Sequence, residues 1–258
     1  PSVSEQRRIA DILDTWDRAI AQTEALIAAK RGLKEGLSQK IFVPAPAPEK
    51  PRESCWEACR IADLADVVGG GTPSTSEPSY WGGKIPWCTP TDLNGLPTRY
   101  VNRTERTITA AGLKASSANL LPQNSIVLCS RASVGECAIN TVPMSTNQGF
   151  QSLLPYNSDD TLFLYYLMRA LKRTLLRISA GSTFQEFSRS ELRALEIVVP
   201  PSAKRFRIGR AFAHLDDEID ALRALRDCLH RQKRGLMQKL LTGEWRVGEM
   251  ENVAEVAQ

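Results

Sequence analysis

The stretch PSVSEQRRIADILDTWDRAIAQTEALIAAKRGLKEGLSQKIF (residues 1–42) returns without a gap as PPSAKRFRIGRAFAHLDDEIDALRALRDCLHRQKRGLMQKLL (residues 200–241). The identities are Pro1/Pro200, Arg8/Arg207, Ile9/Ile208, Asp17/Asp216, Ile20/Ile219, Ala25/Ala224, Leu26/Leu225, Lys34/Lys233, Gly36/Gly235, Leu37/Leu236, Gln39/Gln238 and Lys40/Lys239. Both copies close on K-x-G-L-x-Q-K, and an internal repeat of this kind frames everything between its copies.

Each copy carries an apolar seam of period 3.5, the spacing of a helix packed on a helix. The second runs Ile208, Phe212, Leu215, Ile219, Leu222, Arg226, Leu229, Lys233, Leu236, Leu240; the first runs Ile9, Leu13, Trp16, Ile20, Thr23, Ile27, Lys30, Lys34, Leu37, Ile41. Each helix is expected to span about 36 residues, roughly 54 Å at 1.5 Å per residue. A stripe that long cannot bury itself alone, so the copies are expected to pair, in an orientation the seam does not fix. Ser2 and Glu5 form a capping box at the start, and Gly243 stands where a left-handed helix stop belongs. Lys30, Lys34, Arg226 and Lys233 weaken the seam, and the helices are expected to splay or meet a partner there. Gly36 and Gly235 each cost about 1 kcal/mol inside a helix, so a close contact is expected at both.

After the first helix comes VPAPAPEKPR (43–52), whose prolines 44, 46, 48 and 51 favour an extended spacer. The expected organisation is a helix over 1–42, this linker over 43–52, a domain over 53–200, a second helix over 201–243 and a tail over 244–258. The middle domain reads as α+β. A short helix is expected over Ile61–Val68, and strands over Ile85–Cys88, Ser125–Ser130, Glu136–Asn140, Gly149–Leu154 and Leu195–Val199. Thr161–Ile178 reads as one apolar helix capped by Asp159 and Asp160, and Ser188 with Glu191 forms a second capping box. The fold class is therefore α+β: an α/β domain flanked by two long helices that pair as a coiled coil.

Five loops of the middle domain are rich in small polar donors: GGGTPSTS (69–76), WCTPTDLNG (87–95), SRASVGE (130–136), MSTNQG (144–149) and AGSTFQEF (180–187). Glycine lets a backbone approach a ligand closely, while Ser, Thr, Asn and Gln supply donors and acceptors of the kind that meet phosphates and base edges. A net charge of +4 is too small to identify a polyanionic partner by itself. Its distribution is +2 over residues 1–52, 0 over 53–200 and +2 over 201–258, yet 161–193 holds Arg169, Lys172, Arg173, Arg177, Arg189 and Arg193 against Glu186 and Glu191. That is a local basic patch in a neutral domain.

Catalytic readings lack parts. GGGTPST has no Gly-Lys-Ser/Thr, no G-x-G-x-x-G follows a strand, and G-x-S-x-G and H-E-x-x-H are missing. Both histidines, His214 and His230, fall in the second helix. The six cysteines, at 55, 59, 88, 129, 137 and 228, show no zinc spacing and read as reduced, mostly buried thiols. No apolar run approaches the roughly 20 residues of a membrane helix, and PSVSEQRR has no signal-peptide core. A cytoplasmic location is expected.

Two helical repeats ending in K-x-G-L-x-Q-K, followed in the second by Leu-Leu-Thr-Gly, flank GGGTPST (69–75), YWGGKIPW (80–87) and TNQGFQ (146–151). Over nearly its whole length this pattern resembles the specificity subunit of type I restriction–modification systems, agents of host defence and DNA methylation. The resemblance implies a target recognition domain over 53–200 that binds double-stranded DNA and reads one half of a bipartite site, with conserved helices that dock methyltransferase subunits. It implies no catalysis and no metal or cofactor in this chain. S-adenosylmethionine would belong to the methyltransferase subunit, and ATP and Mg to the restriction and translocation subunit. The family pattern has two recognition domains and this chain has one, which makes a second copy of the chain a further candidate partner. Candidate DNA-facing residues are Thr72, Ser74, Thr75, Lys84, Thr89, Thr91, Arg131, Ser133, Ser182, Thr183 and Gln185, with Arg169, Lys172, Arg173 and Arg177 on phosphates. Arg131 and Gln185 are the expected base readers. Candidate docking residues are Lys34, Gly36, Leu37, Gln39, Lys233, Gly235, Leu236 and Gln238. The alternatives are the specificity segment of a fused restriction endonuclease–methyltransferase and a purely structural coiled coil.

Overall fold

A computed structural model describes residues 2–42, 55–180 and 185–247. The proline-rich stretch 43–52, Ser182 and Thr183 lie outside the described residues. The first repeat copy is helix α1 (Val3–Phe42), and strands β1 (Glu57–Arg60) and β2 (Ala65–Gly69) follow. Next come β3 (Trp81–Cys88), α2 (Pro90–Leu93), β4 (Tyr100–Val101), β5 (Arg106–Ile108), α3 (Ala110–Lys114), β6 (Ile126–Leu128), β7 (Cys137–Asn140), β8 (Ser145–Thr146) and β9 (Gln151–Pro155). Helices α4 (Thr161–Ala170), α5 (Lys172–Ser179) and α6 (Arg189–Ala194) precede β10 (Glu196–Val199) and α7 (Ser202–Leu241), the second repeat copy. Among the described residues, no helix is long and apolar enough to cross a membrane.

The chain forms two compact units, one from residues up to 35 together with those from 214 onward, the other from 36–213. The division falls inside both long helices. In the first unit the helices run antiparallel, as their ion pairs show. Lys34 meets Asp216 (Nζ–Oδ1 2.5 Å), Lys30 meets Glu218 (2.9 Å) and Lys233 meets Asp17 (2.5 Å), so numbers rise on one helix as they fall on the other; beyond the end of α7, Arg246 meets Glu5 (3.4 Å). Lys34 and Lys233 are equivalent in the repeat, as are Asp17 and Asp216. The same ion pair is thus made twice about an approximate two-fold axis.

Along the seam Ile9, Ile20, Ile27, Ile219 and Leu240 are buried, while Leu13, Trp16, Leu215, Leu222 and Leu229 are half-buried. Thr23, also buried, turns its hydroxyl back to the Ala19 carbonyl at 2.8 Å. The expected splaying at the lysines is not what happens. Carboxylates opposite Lys30, Lys34 and Lys233 close the seam. The Ser2 hydroxyl accepts from the Glu5 N–H at 3.2 Å, and Gly243 adopts φ +75° beyond the last turn.

In the second unit a five-stranded sheet runs β2-β9-β6-β7-β4, antiparallel except where β4 meets β7. Smaller sheets pair β5-β3-β8 and β1-β10. Val67, Ile126, Leu128, Ile139 and Leu153 join a core with Phe163, Leu164, Leu167, Met168 and Leu175 of α4 and α5. Val127, Ala138 and Phe150 join a second core with Cys88, Leu121 and Met144. Burial on both faces explains why 126–129 is a continuous apolar run rather than an alternating one. The end of α1 and the start of α7 belong to the first of these cores, where the Phe42 ring lies 5.5 Å from Phe163 and 5.2 Å from Phe212.

Three local expectations are corrected. Ile61–Val68 is not a helix: one 3-10 turn (Ile61–Asp63) leads into β2, where Ala65 and Val67 point inward at strand period and pair with β9. Thr161–Ile178 breaks at Leu171 into α4 and α5. Asp160 is no cap, because its side chain accepts no cap bond. It is 2% exposed and forms a bidentate pair with Arg205, Nε–Oδ1 and Nη2–Oδ2 both 2.8 Å. The capping box of Ser188 and Glu191 does form.

Candidate nucleic-acid interface

All five donor-rich loops are hydrogen-bonded into one rim through their described residues. Gly71 N–H donates to the Thr146 carbonyl at 2.9 Å, and Gly70 N–H to Phe150 at 3.2 Å. The Thr72 hydroxyl donates to the Gln148 side-chain carbonyl. Asn147 N–H reaches the Cys88 carbonyl at 2.9 Å, Ser130 N–H reaches Gly149 at 2.8 Å, and Phe187 N–H reaches Ser130 at 3.3 Å. Two tryptophans pin the first loop: Trp87 Nε1 donates to the Gly71 carbonyl (2.9 Å) and Trp81 Nε1 to the Ser74 carbonyl (3.0 Å). The Arg106 guanidinium stacks 3.6 Å from the Trp81 ring centroid, holding that indole in place.

The glycines of this loop are needed for a reason other than the one expected. A Cβ on Gly70 would lie 1.9 Å from the Asn147 carbonyl oxygen, and one on Gly71 would lie 2.3 Å from Ala118 N. The backbone here approaches its own neighbours rather than a ligand.

On the rim stand Thr72, Gln148 and Gln185, all exposed, with Arg131 and Glu186 partly exposed beside them. Gly149 packs under Arg131: a Cβ there would meet Arg131 Cγ and Nε at 3.3 Å. Ser133 turns the next loop, its carbonyl accepting from Glu136 N–H at 3.0 Å, and Ala132 adopts the left-handed φ of +59°. Ser74 bonds Ser76 at 2.7 Å, and Thr75 and Lys84 are exposed. Thr89 is engaged in a cap, with its N–H and hydroxyl 2.7 and 2.6 Å from Asp92, while Thr91 is exposed on α2.

The basic face of α4 and α5 divides in two. Lys172 pairs with Glu136 at 2.5 Å and Arg169 with the same carboxylate at 3.6 Å. Arg173 and Arg177 are exposed, with no ion pair to another described residue. Arg189 and Arg193 both contact Asp66, at 3.4 and 2.7 Å.

Sequence reasoning missed Gln148 and Glu186. Both lie in loops already noted for their donors, but only the fold shows that Gln148 faces Thr72 and Glu186 faces Arg131. Among the candidate docking residues, Gly36, Gln39, Gly235 and Gln238 are exposed. Lys34 and Lys233 are used in the paired bridges, Leu236 is half-buried, and Leu37 packs against the domain core. A Cβ at Gly36 or Gly235 would meet nothing within 4 Å, so the close contact expected there does not come from the described chain.

Cys88, Cys129 and Cys137 are buried, and burial first of all pushes the Cys129 and Cys137 thiols up to about 12, leaving them protonated. His214 and His230 lie on α7, 3.7 Å from Glu218 and 4.0 Å from Glu24.

A loop-rimmed α+β domain, set in sequence between two copies of a self-pairing helix, is the class these features define. The chain belongs to the type I restriction modification DNA specificity domain family, whose model matches residues 53–229. It is 40% identical over 167 residues to the type I restriction enzyme MjaIX specificity subunit of Methanocaldococcus jannaschii, covering 64% of this chain and 39% of that protein. It is 27% identical to the EcoR124I/EcoR124II specificity subunit of Escherichia coli, covering 86% and 53%. The HsdS subunit of Thermoanaerobacter tengcongensis shares the fold, with a TM-score of 0.69 at 17% identity over 95% of this chain and 60% of that one. The chain thus spans less than two thirds of the length of these relatives.

Proposed function

We propose that the chain is a non-catalytic recognition component of a type I restriction–modification complex, acting in the cytoplasm and reading one half of a bipartite double-stranded DNA site. The observation that carries this is the single rim of Thr72, Gln148, Arg131, Glu186 and Gln185 on a member of the specificity family. Phosphate contacts from Arg173 and Arg177 would hold the domain on DNA while the rim meets base edges in the major groove, where all four base pairs differ. The protonated buried thiols and the two helical histidines offer no activated nucleophile. Methyl transfer would use S-adenosylmethionine on a partner subunit, and cleavage would use ATP and Mg on a restriction subunit.

The antiparallel helices serve in this reading as spacer and dock. Side chains shared by both copies and left exposed, Leu26 with Leu225 (46% and 49%) and Gln39 with Gln238, together with Gly36 and Gly235, suit one kind of methyltransferase subunit bound twice. A second copy of the chain would supply the other half-site reader. The relatives are specificity subunits, and no observation favours a fused enzyme.

Methylome sequencing of cells carrying this chain with its methyltransferase partner tests the proposal. A bipartite motif that disappears when the chain is deleted is expected, and methylation unaffected by the deletion would overturn it. The purified chain is expected to retard duplex DNA in a salt-dependent way and to transfer no methyl group by itself.

A further inference from the structure

Glu186 is an acid on a rim that must face a polyanion if the chain reads DNA. Its placement is controlled. One carboxylate oxygen accepts from the Ser130 hydroxyl at 3.4 Å, and the other lies 4.0 Å from Arg131 Nη1. The two charged side chains are 31% and 40% exposed. Phe187, next in sequence, is fully buried and bonds the Ser130 carbonyl, so the loops that carry the pair are fastened to each other. Gly149 supports the Arg131 stem from below. At 4.0 Å the charges are neighbours without the short paired bonds of a closed fork.

A guanidinium beside a carboxylate suits a G·C pair best, because guanine offers the guanidinium two adjacent acceptors. In the major groove a G·C pair presents the guanine N7 and O6 acceptors next to the cytosine N4 amine. O6 and N4 are hydrogen-bonded to each other, so protein groups that read them must also lie side by side. Phosphate oxygens repel the carboxylate, as do the acceptor edges of other bases, and an amine in the right place attracts it.

We propose that Arg131 and Glu186 together read a single G·C base pair, Arg131 on the guanine and Glu186 on the cytosine amine. This rests on the DNA-recognition reading above. The alternative is an ion pair that only ties two loops together, and the two roles separate under mutation. The test is selection from a randomised duplex library by the full chain in complex with its methyltransferase partner. The wild type is expected to fix one G·C position. E186Q should lower discrimination at that position by about tenfold and leave the others unchanged. The exchange R131E/E186R keeps the tie between the loops but swaps the readers, so the preferred pair should invert to C·G. A wild-type motif without a fixed G·C position overturns the proposal. So does an E186Q chain weakened equally on all sequences, or a swap that keeps the original motif. If thermal unfolding shows that the swap does not fold, the E186Q motif decides alone. A wild type that selects no motif removes the DNA-recognition reading itself.

Discussion

Asp160 and Ser188 show how differently two polar residues at helix starts can act. Asp160 lies before an apolar helix, where local sequence suggests a cap, yet its carboxylate is buried against Arg205, which also donates to the Pro200 carbonyl at 3.0 Å. Asp160→Ala leaves a largely buried guanidinium without its counter-charge and should cost about 3–5 kcal/mol, read by chemical denaturation. Replacing both partners, with Asp160→Leu and Arg205→Met, should cost less than the single change. If the double change costs more, the pair is not the source of the loss. Ser188 needs only local geometry, and its capping box was legible from the spacing to Glu191. Bonds from the Ser188 N–H and then its hydroxyl hold the Glu191 carboxyl below its ordinary value. Because the folded value is the lower one, this cap contributes at neutral pH and is lost as pH falls through the carboxylate range. Ser188→Ala should cost about 1 kcal/mol near neutrality, and the gap between wild type and Glu191→Gln should narrow in acid. A gap that stays constant with pH would refute the assignment.

At the scale of the element, the long helices were legible because a 3.5-residue period persists over ten seam positions and appears twice. Their direction was not, because an antiparallel and a parallel pair bury the same stripe. The ion pairs decide it: Lys34–Asp216 and Lys233–Asp17 can both form only when the copies run in opposite directions. Gly235 tests what the outer face does. It sits in open space inside a helix, so Gly235→Ala should stabilise the isolated chain by about 1 kcal/mol. Gly235→Leu should also fold but weaken copurification with the methyltransferase partner. Full copurification of the Leu variant would remove this face from the docking surface. The segment 61–68 misled for the opposite reason. Eight residues with Ile61, Leu64, Val67 and Val68 fit a helix period as well as a strand period, and only pairing with β9 selects the strand.

Across the whole molecule, charge that is left unpaired on the surface is what a polyanion would meet. Among the arginines of the basic patch, Arg169, Arg189 and Arg193 contact carboxylates, whereas Arg173 and Arg177 are exposed with no ion pair to a described residue. Replacing Arg173 and Arg177 with Gln should weaken binding to all duplexes similarly and reduce the salt slope by about 2. An unchanged slope in gel retardation would return these two side chains to an ordinary solvated face. The repeat, the two helices, the α+β class and the family resemblance were legible in the sequence, because these depend on period, identity and local motif. Which loops meet was not legible there. Thr72 and Gln148 are 76 residues apart, and Ser130 and Glu186 are 56 apart. No local spacing encodes such contacts; they exist because the five-stranded sheet and its two cores bring those loops to one rim.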